Sequence, residues 1–241
     1  FWGYQVDGVF QSNEEVAAAN EAAKAAGHDS PYQLANTSAG DFKFKDLSGP
    51  DGKPDNIIDE NDMTILGNGF PKLNYGLTLN ASYKNWDISV YTYGVVGQQI
   101  YSYSAMTLSN VYGTDNGTIP NILNSSAEEA WTPTNKSNTL SKLSILDYNR
   151  NMRGSDAWVK KGDFFKISNV QIGYNFDRNL LQSIRLQNAR LYFAIQNLAC
   201  FSSYNKYGDP EAGQGSVLFT GLDTGRFPMP RVYSFGLNIQ F

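Results

Sequence analysis

The closing nine residues, Tyr233-Ser-Phe-Gly-Leu-Asn-Ile-Gln-Phe241, alternate without a break. Tyr233, Phe235, Leu237, Ile239 and Phe241 take the odd positions; Ser234, Gly236, Asn238 and Gln240 take the even ones. Successive side chains of a strand point to opposite faces, so this is a strand with one apolar and one polar face. Nothing in a soluble sandwich calls for an aromatic at the final carboxylate. A transmembrane barrel strand, roughly 9–11 residues with apolar outward and polar inward, has this form.

Composition agrees with that reading and removes others. Aromatics make up 14% of 241 residues, with 15 Tyr and 14 Phe, which suits strands and membrane-interface belts. Mean hydropathy is −0.40, and no apolar run approaches the ~18 residues of a spanning helix. Low hydropathy is compatible with a barrel, because half of each barrel strand faces a polar lumen. The net charge of −4 comes without a basic block, so nucleic acid is not an expected partner. Cys200 is the single cysteine, which excludes a disulfide within the chain. His28 is the single histidine, which excludes a multi-histidine metal site. Phe1-Trp-Gly-Tyr4 lacks the charged and apolar regions of a signal peptide, so an exported chain of this kind is expected to be a mature or internal piece.

Further alternating stretches follow the same rule. Phe1–Phe10 places Trp2, Tyr4, Val6 and Phe10 on one side, with a gap at Gly8. Ser12-Asn-Glu-Glu15 reads as a capping box opening a helix over Glu14–Ala26, with Gly27 at its end; its apolar side is mostly Ala, as in a solvated helix within a loop. Strands are expected over about 72–83, 86–100, 164–176, 190–198 and 230–241. Lys84-Asn85 is a minimal hairpin turn between the first two. A short helix is expected near Ser126–Ala130, and Asp177 is placed to cap a turn through Leu180 and Leu181. The chain therefore divides into residues 1–70, a strand plus a helix-bearing loop, and 71–241, strands separated by the long loops 101–163 and 199–229. If Phe241 lies at the lower end, the short connections fall at the bottom and the long loops at the top. Outer-membrane barrels sort their loops in this way, with the short side periplasmic.

Asp51-Gly-Lys-Pro-Asp-Asn-Ile-Ile-Asp-Glu-Asn-Asp62 places carboxylates at loop positions 1, 5, 9 and 12, the EF-hand-like spacing for a hard cation. Ile57 would supply a backbone carbonyl, Ile58 would pin the loop, and Asn56 tolerates a left-handed conformation. Lys53 stands where a ligand is expected and Asp62 is shorter than a bidentate Glu; Asp46 or Ser48 folding back would replace the missing ligand. The expectation is Ca2+ held by Asp46, Asp51, Asp55, Ile57, Asp59 and Asp62 on the outer side, since carboxylates this close repel without a cation. The alternative is an Asp-rich turn held by side-chain-to-backbone hydrogen bonds.

Tyr91, Tyr93, Tyr101 and Tyr103 cluster on one segment, as an interface belt or as a stacking surface for substrate. Trp131 and Trp158 lie in or beside the long upper loop, either stacking on sugars or anchoring the loop by packing. Arg231, at the start of the last strand, reads as a snorkelling or loop-pairing residue. Cys200 reads as a small hydrophobe, and His28, beside Asp29 at a helix end, is poorly placed for catalysis.

Several stretches, taken in order, resemble one family. They are Phe1-Trp-Gly-Tyr-Gln-Val-Asp-Gly-Val-Phe-Gln11, Asp41-Phe-Lys-Phe-Lys-Asp-Leu47, Ile58-Asp-Glu-Asn-Asp62, Ile65-Leu-Gly67 and Pro71-Lys-Leu-Asn-Tyr-Gly-Leu77. Ser155-Asp-Ala-Trp-Val159, Ile167-Ser-Asn-Val-Gln-Ile-Gly-Tyr174, Gln196-Asn-Leu198, Tyr207-Gly-Asp-Pro-Glu211 and Phe227-Pro-Met-Pro-Arg-Val-Tyr-Ser-Phe-Gly-Leu237 continue the series. Together they resemble the C-terminal part of the SusC/RagA-type TonB-dependent outer-membrane transporters of the Bacteroidetes. The resemblance implies an all-β fold, the last strands of a large antiparallel transmembrane barrel of about 22 strands with a plugged lumen. It implies a protein that is not an enzyme but imports glycans or peptides across the bacterial outer membrane, energised through TonB, under a SusD-type surface lipoprotein lid. It also implies that Tyr233, Phe235, Leu237, Ile239 and Phe241 are the signal read by the barrel-assembly machinery, and that outer-membrane lipid surrounds the apolar faces. The family's acidic loop commonly runs Asp-x-Asn-Gly-Asp-Gly after Asp-Leu; here Pro50 and Lys53-Pro54 expand it. The plug and the segment that meets TonB are expected outside these residues.

About five strands leave open edges and an unmatched apolar face, expected to be completed by the rest of a barrel. Two rivals make different predictions. A secreted, calcium-stabilised β-sandwich carbohydrate-binding module would bury Phe235, Leu237 and Ile239 against a second sheet. A barrel enzyme would place a nucleophile within reach of His28.

Overall fold

Most of the strands follow the runs of alternation, and most of the helices begin at a side chain able to cap them. A computed structural model describes residues 1–112, 120–183, 185–211 and 217–241. Residues 113–119 of the first long loop and 212–216 of the second lie outside the described residues. In chain order the elements are β1 (Trp2–Gly3), β2 (Val6–Val9), α1 (Asn13–Ala25), β3 (Phe42–Phe44), β4 (Thr64–Ile65), β5 (Leu73–Tyr83), β6 (Trp86–Val96) and β7 (Gln99–Ser102). They continue with α2 (Tyr103–Leu108), α3 (Asn124–Glu129), β8 (Val159–Lys161), β9 (Phe164–Asn175), α4 (Arg178–Ser183), β10 (Asn188–Ser202), β11 (Leu222–Asp223) and β12 (Val232–Gln240). These form two compact units that interleave in sequence. One contains Phe1–Gly69, Ile100–Lys160 and Leu222–Gly225; the other contains Phe70–Gln99, Lys161–Gly221 and Arg226–Phe241. The stretch 101–163, read from the sequence as a loop, thus supplies much of the first unit.

The first unit has a core of Val9, Phe42, Phe44, Met106, Trp131 and Trp158. The alternation over Phe1–Phe10 does not form one strand. β1 pairs β4 and stops at Gly3, and Tyr4 bridges Ser155. β2 then pairs β3 with a register shift between Val6 and Gly8, where Gly8 has φ +138°. The shift breaks the common face: Phe10 is 1% exposed and Trp2 is 60% exposed. The two-stranded ribbon leaves β3 with a second edge, and side-chain amides pair it. Phe42 N donates to Asn151 Oδ1 (2.9 Å) and Phe44 N to Gln33 Oε1 (2.7 Å). Asn149 Nδ2 and Gln33 Nε2 both donate to Phe42 O at 3.0 Å. Buried backbone groups require such partners. Helix α1 begins as its capping box requires, with Ser12 Oγ accepting from Glu15 N, and it buries only Val16 and Ala23.

The second unit is built on a five-stranded antiparallel sheet in the order β12-β10-β9-β6-β5. The spatial order of its strands is their sequence order, an up-and-down meander. β5 and β6 turn at Lys84-Asn85, where Lys84 has φ +53°. β10 runs well past the expected 190–198, because a bulge at Asn197 (φ +54°) lets it resume pairing with β9 from Ala199 to Ser202.

Candidate functional site

Register decides what the sheet presents. Tyr83 pairs Trp86, which pairs Tyr174; Ala81, Ile88 and Ile172 form the row above, and Leu79, Val90 and Val170 the next. β10 and β12 continue these rows with Leu191 and Leu237, Phe193 and Phe235, and Ile195 and Tyr233. One face is therefore apolar from edge to edge. It is also uncovered: Leu79 is 56%, Phe235 80% and Leu237 55% exposed. Phe235, Leu237 and Ile239 do not pack against a second sheet, contrary to the sandwich expectation. Thr92, the polar intruder on this face, donates its hydroxyl to Leu77 O at 3.1 Å and so satisfies itself on the backbone.

Aromatics edge this face at both ends. At the hairpin end Tyr83, Trp86, Tyr174 and Phe176 gather, with Trp86–Tyr174 centroids 4.8 Å apart and Tyr174–Phe176 5.3 Å apart. At the other end Tyr75, Phe165 and Phe201 lie in one row, Tyr75–Phe165 at 6.5 Å and Phe165–Phe201 at 6.3 Å. Gly94 completes that row: a Cβ there would stand 2.5 Å from the Tyr75 hydroxyl, so the missing side chain lets Tyr75 reach across β6. Along β5 the eight steps from Tyr75 to Tyr83 span about 27 Å. On β5 Leu77, Leu79 and Ala81 fill the interval, while on β10 and β12 Phe193, Phe235 and Tyr233 stand within it.

The opposite face is polar. Asp87 pairs Gly173, whose partner on β10 is Tyr192, while Arg190 pairs Asn175 and stands diagonal to Asp87. Arg190 lies across Gly173 to grip Asp87 in a bidentate pair, Nε–Oδ1 3.1 Å and Nη2–Oδ2 2.5 Å. A Cβ on Gly173 would be 2.4 Å from that guanidinium. The Gln171 amide, oriented with its oxygen toward Arg190, accepts at 2.9 and 3.1 Å. Farther along, Tyr93 and Lys166 both bind Glu211. Sequence reading missed both clusters. The available signal was charge at polar-face positions inside strands, Asp87, Lys166 and Arg190, where a charge held against a sheet needs a partner.

The aromatics singled out in the sequence do not form one group. Tyr91 and Tyr93 sit on the polar face, opposite Thr78 and Gly76, so they are not part of the outward aromatic rows. Tyr101 belongs to the first unit, on β7 paired to Leu222, with its ring 5.8 Å from Phe1. Burial there pushes its hydroxyl pKa up. Tyr103 opens α2 and is exposed. Trp131 and Trp158 are core residues, 7% and 3% exposed. Their indole N–H groups donate inward, to Gln11 Oε1 (3.0 Å) and Arg153 O (3.1 Å), so packing rather than sugar stacking accounts for both. Arg231 is exposed and lines a cavity together with Cys200.

The acidic loop spends its oxygens on backbone amides. Asp46 accepts from Asp55 N (3.2 Å) and Asn56 N (2.6 Å). Asp62 accepts from Leu47 N (2.6 Å), Ser48 N (3.1 Å) and Asp59 N (2.8 Å). Asp59 accepts from Asn61 N (2.7 Å), and Asp55 from Ile57 N (3.3 Å). Asp55 also lies 3.9 Å from His28 Nε2, so a carboxylate is what His28 approaches. Asn56 adopts φ +67°, as its position required, while Asp51 is exposed at the turn. Burial raises the Asp62 pKa, the three amides oppose that rise, and Asp46 adds to it. Among the described residues no three His, Cys, Asp or Glu side chains gather as a cation site requires. The set therefore does not fit a calcium cage; it fits the turn held by side-chain-to-backbone bonds. Calorimetric titration of the whole receptor with Ca2+ is expected to give no heat assigned to this loop, and a D55A/D59A-sensitive heat would overturn that reading.

Comparison with known proteins finds relatives of one kind. No family profile matches the chain. It is 29% identical over 247 residues to TonB-dependent receptor P3 of Formosa agariphila, covering 100% of this chain and 22% of that protein. It is 27% identical over 188 residues to TonB-dependent receptor SusC of Bacteroides thetaiotaomicron, covering 76% of this chain and 16% of that protein. The structure of the RagAB peptide transporter superposes over 100% of this chain and 23% of its own, with TM-score 0.70 at 17% identity. The chain is similar in sequence to TonB-dependent receptors and in fold to a chain of the RagAB peptide transporter. The chain spans about a fifth of the length of the curated relatives it matches over its full length. Its fold is mostly strand, and no helix among the described residues is long and apolar enough to cross a membrane.

Proposed function

We propose that the chain is a segment of a SusC/RagA-type TonB-dependent receptor and forms part of the barrel wall of an outer-membrane nutrient importer. The observation that carries the reading is the uncovered apolar face edged by aromatic rows. At the ~40° tilt of outer-membrane strands, the β5 interval of about 27 Å becomes about 20 Å along the membrane normal, near the ~25 Å apolar band of such barrels. The apolar face meets lipid and the polar face lines the lumen. β5 and β12 each pair on one side only, and unpaired backbone in hydrocarbon is costly, so both edges are completed by further strands of a closed barrel. Uptake is energised through TonB at a plug outside these residues, beneath a SusD-type surface lipoprotein, and the cargo is a glycan or a peptide. The barrel-assembly machinery reads Tyr233, Phe235, Leu237, Ile239 and Phe241 on the outward face of β12 and at its end.

The test is complementation. A strain lacking the whole receptor receives either the intact gene or one missing residues 232–241. Intact receptor is expected in the outer-membrane fraction as a heat-modifiable band with nutrient uptake restored; the truncated form is expected to be degraded. Intact receptor in a soluble fraction would overturn the reading.

A further inference from the structure

The segment that follows β10, residues 203–211, folds back over the polar face of the sheet and is held there at several points. Tyr204 is 1% exposed. Its backbone N–H donates to Ser202 Oγ (3.1 Å), and Asn205 Nδ2 donates to Cys200 O (2.8 Å). Pro210 is fully buried. Asp209 Oδ1 accepts from Glu211 N (3.0 Å), and its Oδ2 accepts from Met229 N (3.3 Å). This arrangement aims the Glu211 side chain at the sheet.

Two strands supply what receives it. The Tyr93 hydroxyl of β6 donates to Glu211 Oε1, and Lys166 Nζ of β9 donates to Oε2. Tyr93 and Lys166 are register partners, so the donors stand side by side. Phe164 packs edge-on against the Tyr93 ring at 5.8 Å and orients it. Lys166 is 4% exposed, and an ammonium buried to that degree requires an anion. Beside the pair a cavity of about 280 Å³ opens, lined by Lys166, Asn197, Cys200, Asp209, Met229 and Arg231. That volume is several times the ~30 Å³ share of one water.

We infer that Tyr93 and Lys166 form a carboxylate-binding site on the luminal wall, occupied in this structure by Glu211 of the overlying strap. The site is built by the sheet, while the carboxylate that fills it comes from a loop segment. A carboxylate-bearing cargo entering the adjoining cavity competes with Glu211 for the same two donors and frees the strap. The assignment of the polar face to the lumen rests on the proposed function; the carboxylate site itself rests only on the geometry.

Chemical rescue tests it on the purified whole receptor in detergent, with no transport required. Glu211→Ala is expected to lower Tm, and sodium acetate at tens of millimolar is expected to restore most of the loss where sodium chloride does not. K166M/E211A is expected to show no acetate response. Equal effects of acetate and chloride on E211A, or undiminished rescue in K166M/E211A, would overturn the site. If E211A does not accumulate, Glu211→Gln in intact cells provides the second measurement. Cys200 of β10 is the register partner of Lys166 on β9 and lines the same cavity as the strap. Its labelling by an impermeant maleimide, read by peptide mass mapping, is expected to rise about tenfold in E211Q. An unchanged rate overturns the assignment of Glu211 as what holds the strap on the site. Failure of rescue in a receptor that still fractionates with the outer membrane would refute the site alone, whereas loss of that fractionation in the unaltered receptor would refute the functional reading.

Discussion

Leu79→Arg in the whole receptor is expected to remove most of the protein from the outer membrane, whereas Asn80→Arg leaves it there. The two positions are adjacent on β5 and receive the same charge. Leu79 lies midway between Tyr75 and Tyr83, pairs Val90 and is 56% exposed on the apolar face. Asn80 pairs Ser89 on the polar face. An arginine facing lipid at the bilayer midplane costs about 2–4 kcal/mol, and one facing a water-filled lumen costs far less. That difference is a large share of a stability of about 5–15 kcal/mol. The measurement is the heat-modifiable band in purified outer membranes, compared between variants at equal expression. Equal amounts for the two variants would mean that the apolar face does not meet lipid.

Trp158→Ala is expected to destabilise the first unit by about 3–5 kcal/mol, the usual range for truncating a buried Trp. The indole is 3% exposed, lies edge-on to Phe42 at 6.0 Å and donates its N–H to Arg153 O. The variant loses packing area and leaves a carbonyl without its donor, and Trp158→Phe is expected to recover most of the loss. Protease resistance of the whole receptor reports the change, with cleavage expected between residues 1 and 69 or 100 and 160. Normal protease resistance together with impaired uptake would instead assign Trp158 to substrate stacking.

Strands, faces and the hairpin at Lys84-Asn85 were legible because each depends on neighbours in sequence. Period-two alternation states which residues share a face, and a two-residue connection between alternating runs leaves one way to pair them. The same local logic misled at Phe1–Phe10, where alternation continues through Gly8 but the backbone does not. A register shift there rotates Phe10 into the core and leaves Trp2 outside it. The carboxylate loop shows another limit of local reading. Spacing alone cannot distinguish oxygens that converge on a cation from oxygens that cap backbone amides, because the two differ only in where Asp46 and Asp62 fold back. Tyr91, Tyr93, Tyr101 and Tyr103 form one run in sequence, yet register puts the first pair on the polar face and the break after Val96 puts the second in another unit.

By itself the sequence determined that the closing strand has one apolar and one polar face, that the chain crosses no membrane as a helix, and which ordered motifs it shares with SusC/RagA-type receptors. Each follows from side-chain direction or from residue order, which survive without coordinates. Tertiary structure alone decided that the apolar faces of five strands merge into one uncovered surface, and that Arg190 reaches Asp87 across Gly173. It also decided that Glu211, some 45 residues from Lys166 in sequence, closes on it. Those contacts depend on register between strands far apart in the chain, and a shift of one residue would turn every side chain of a strand to the other face.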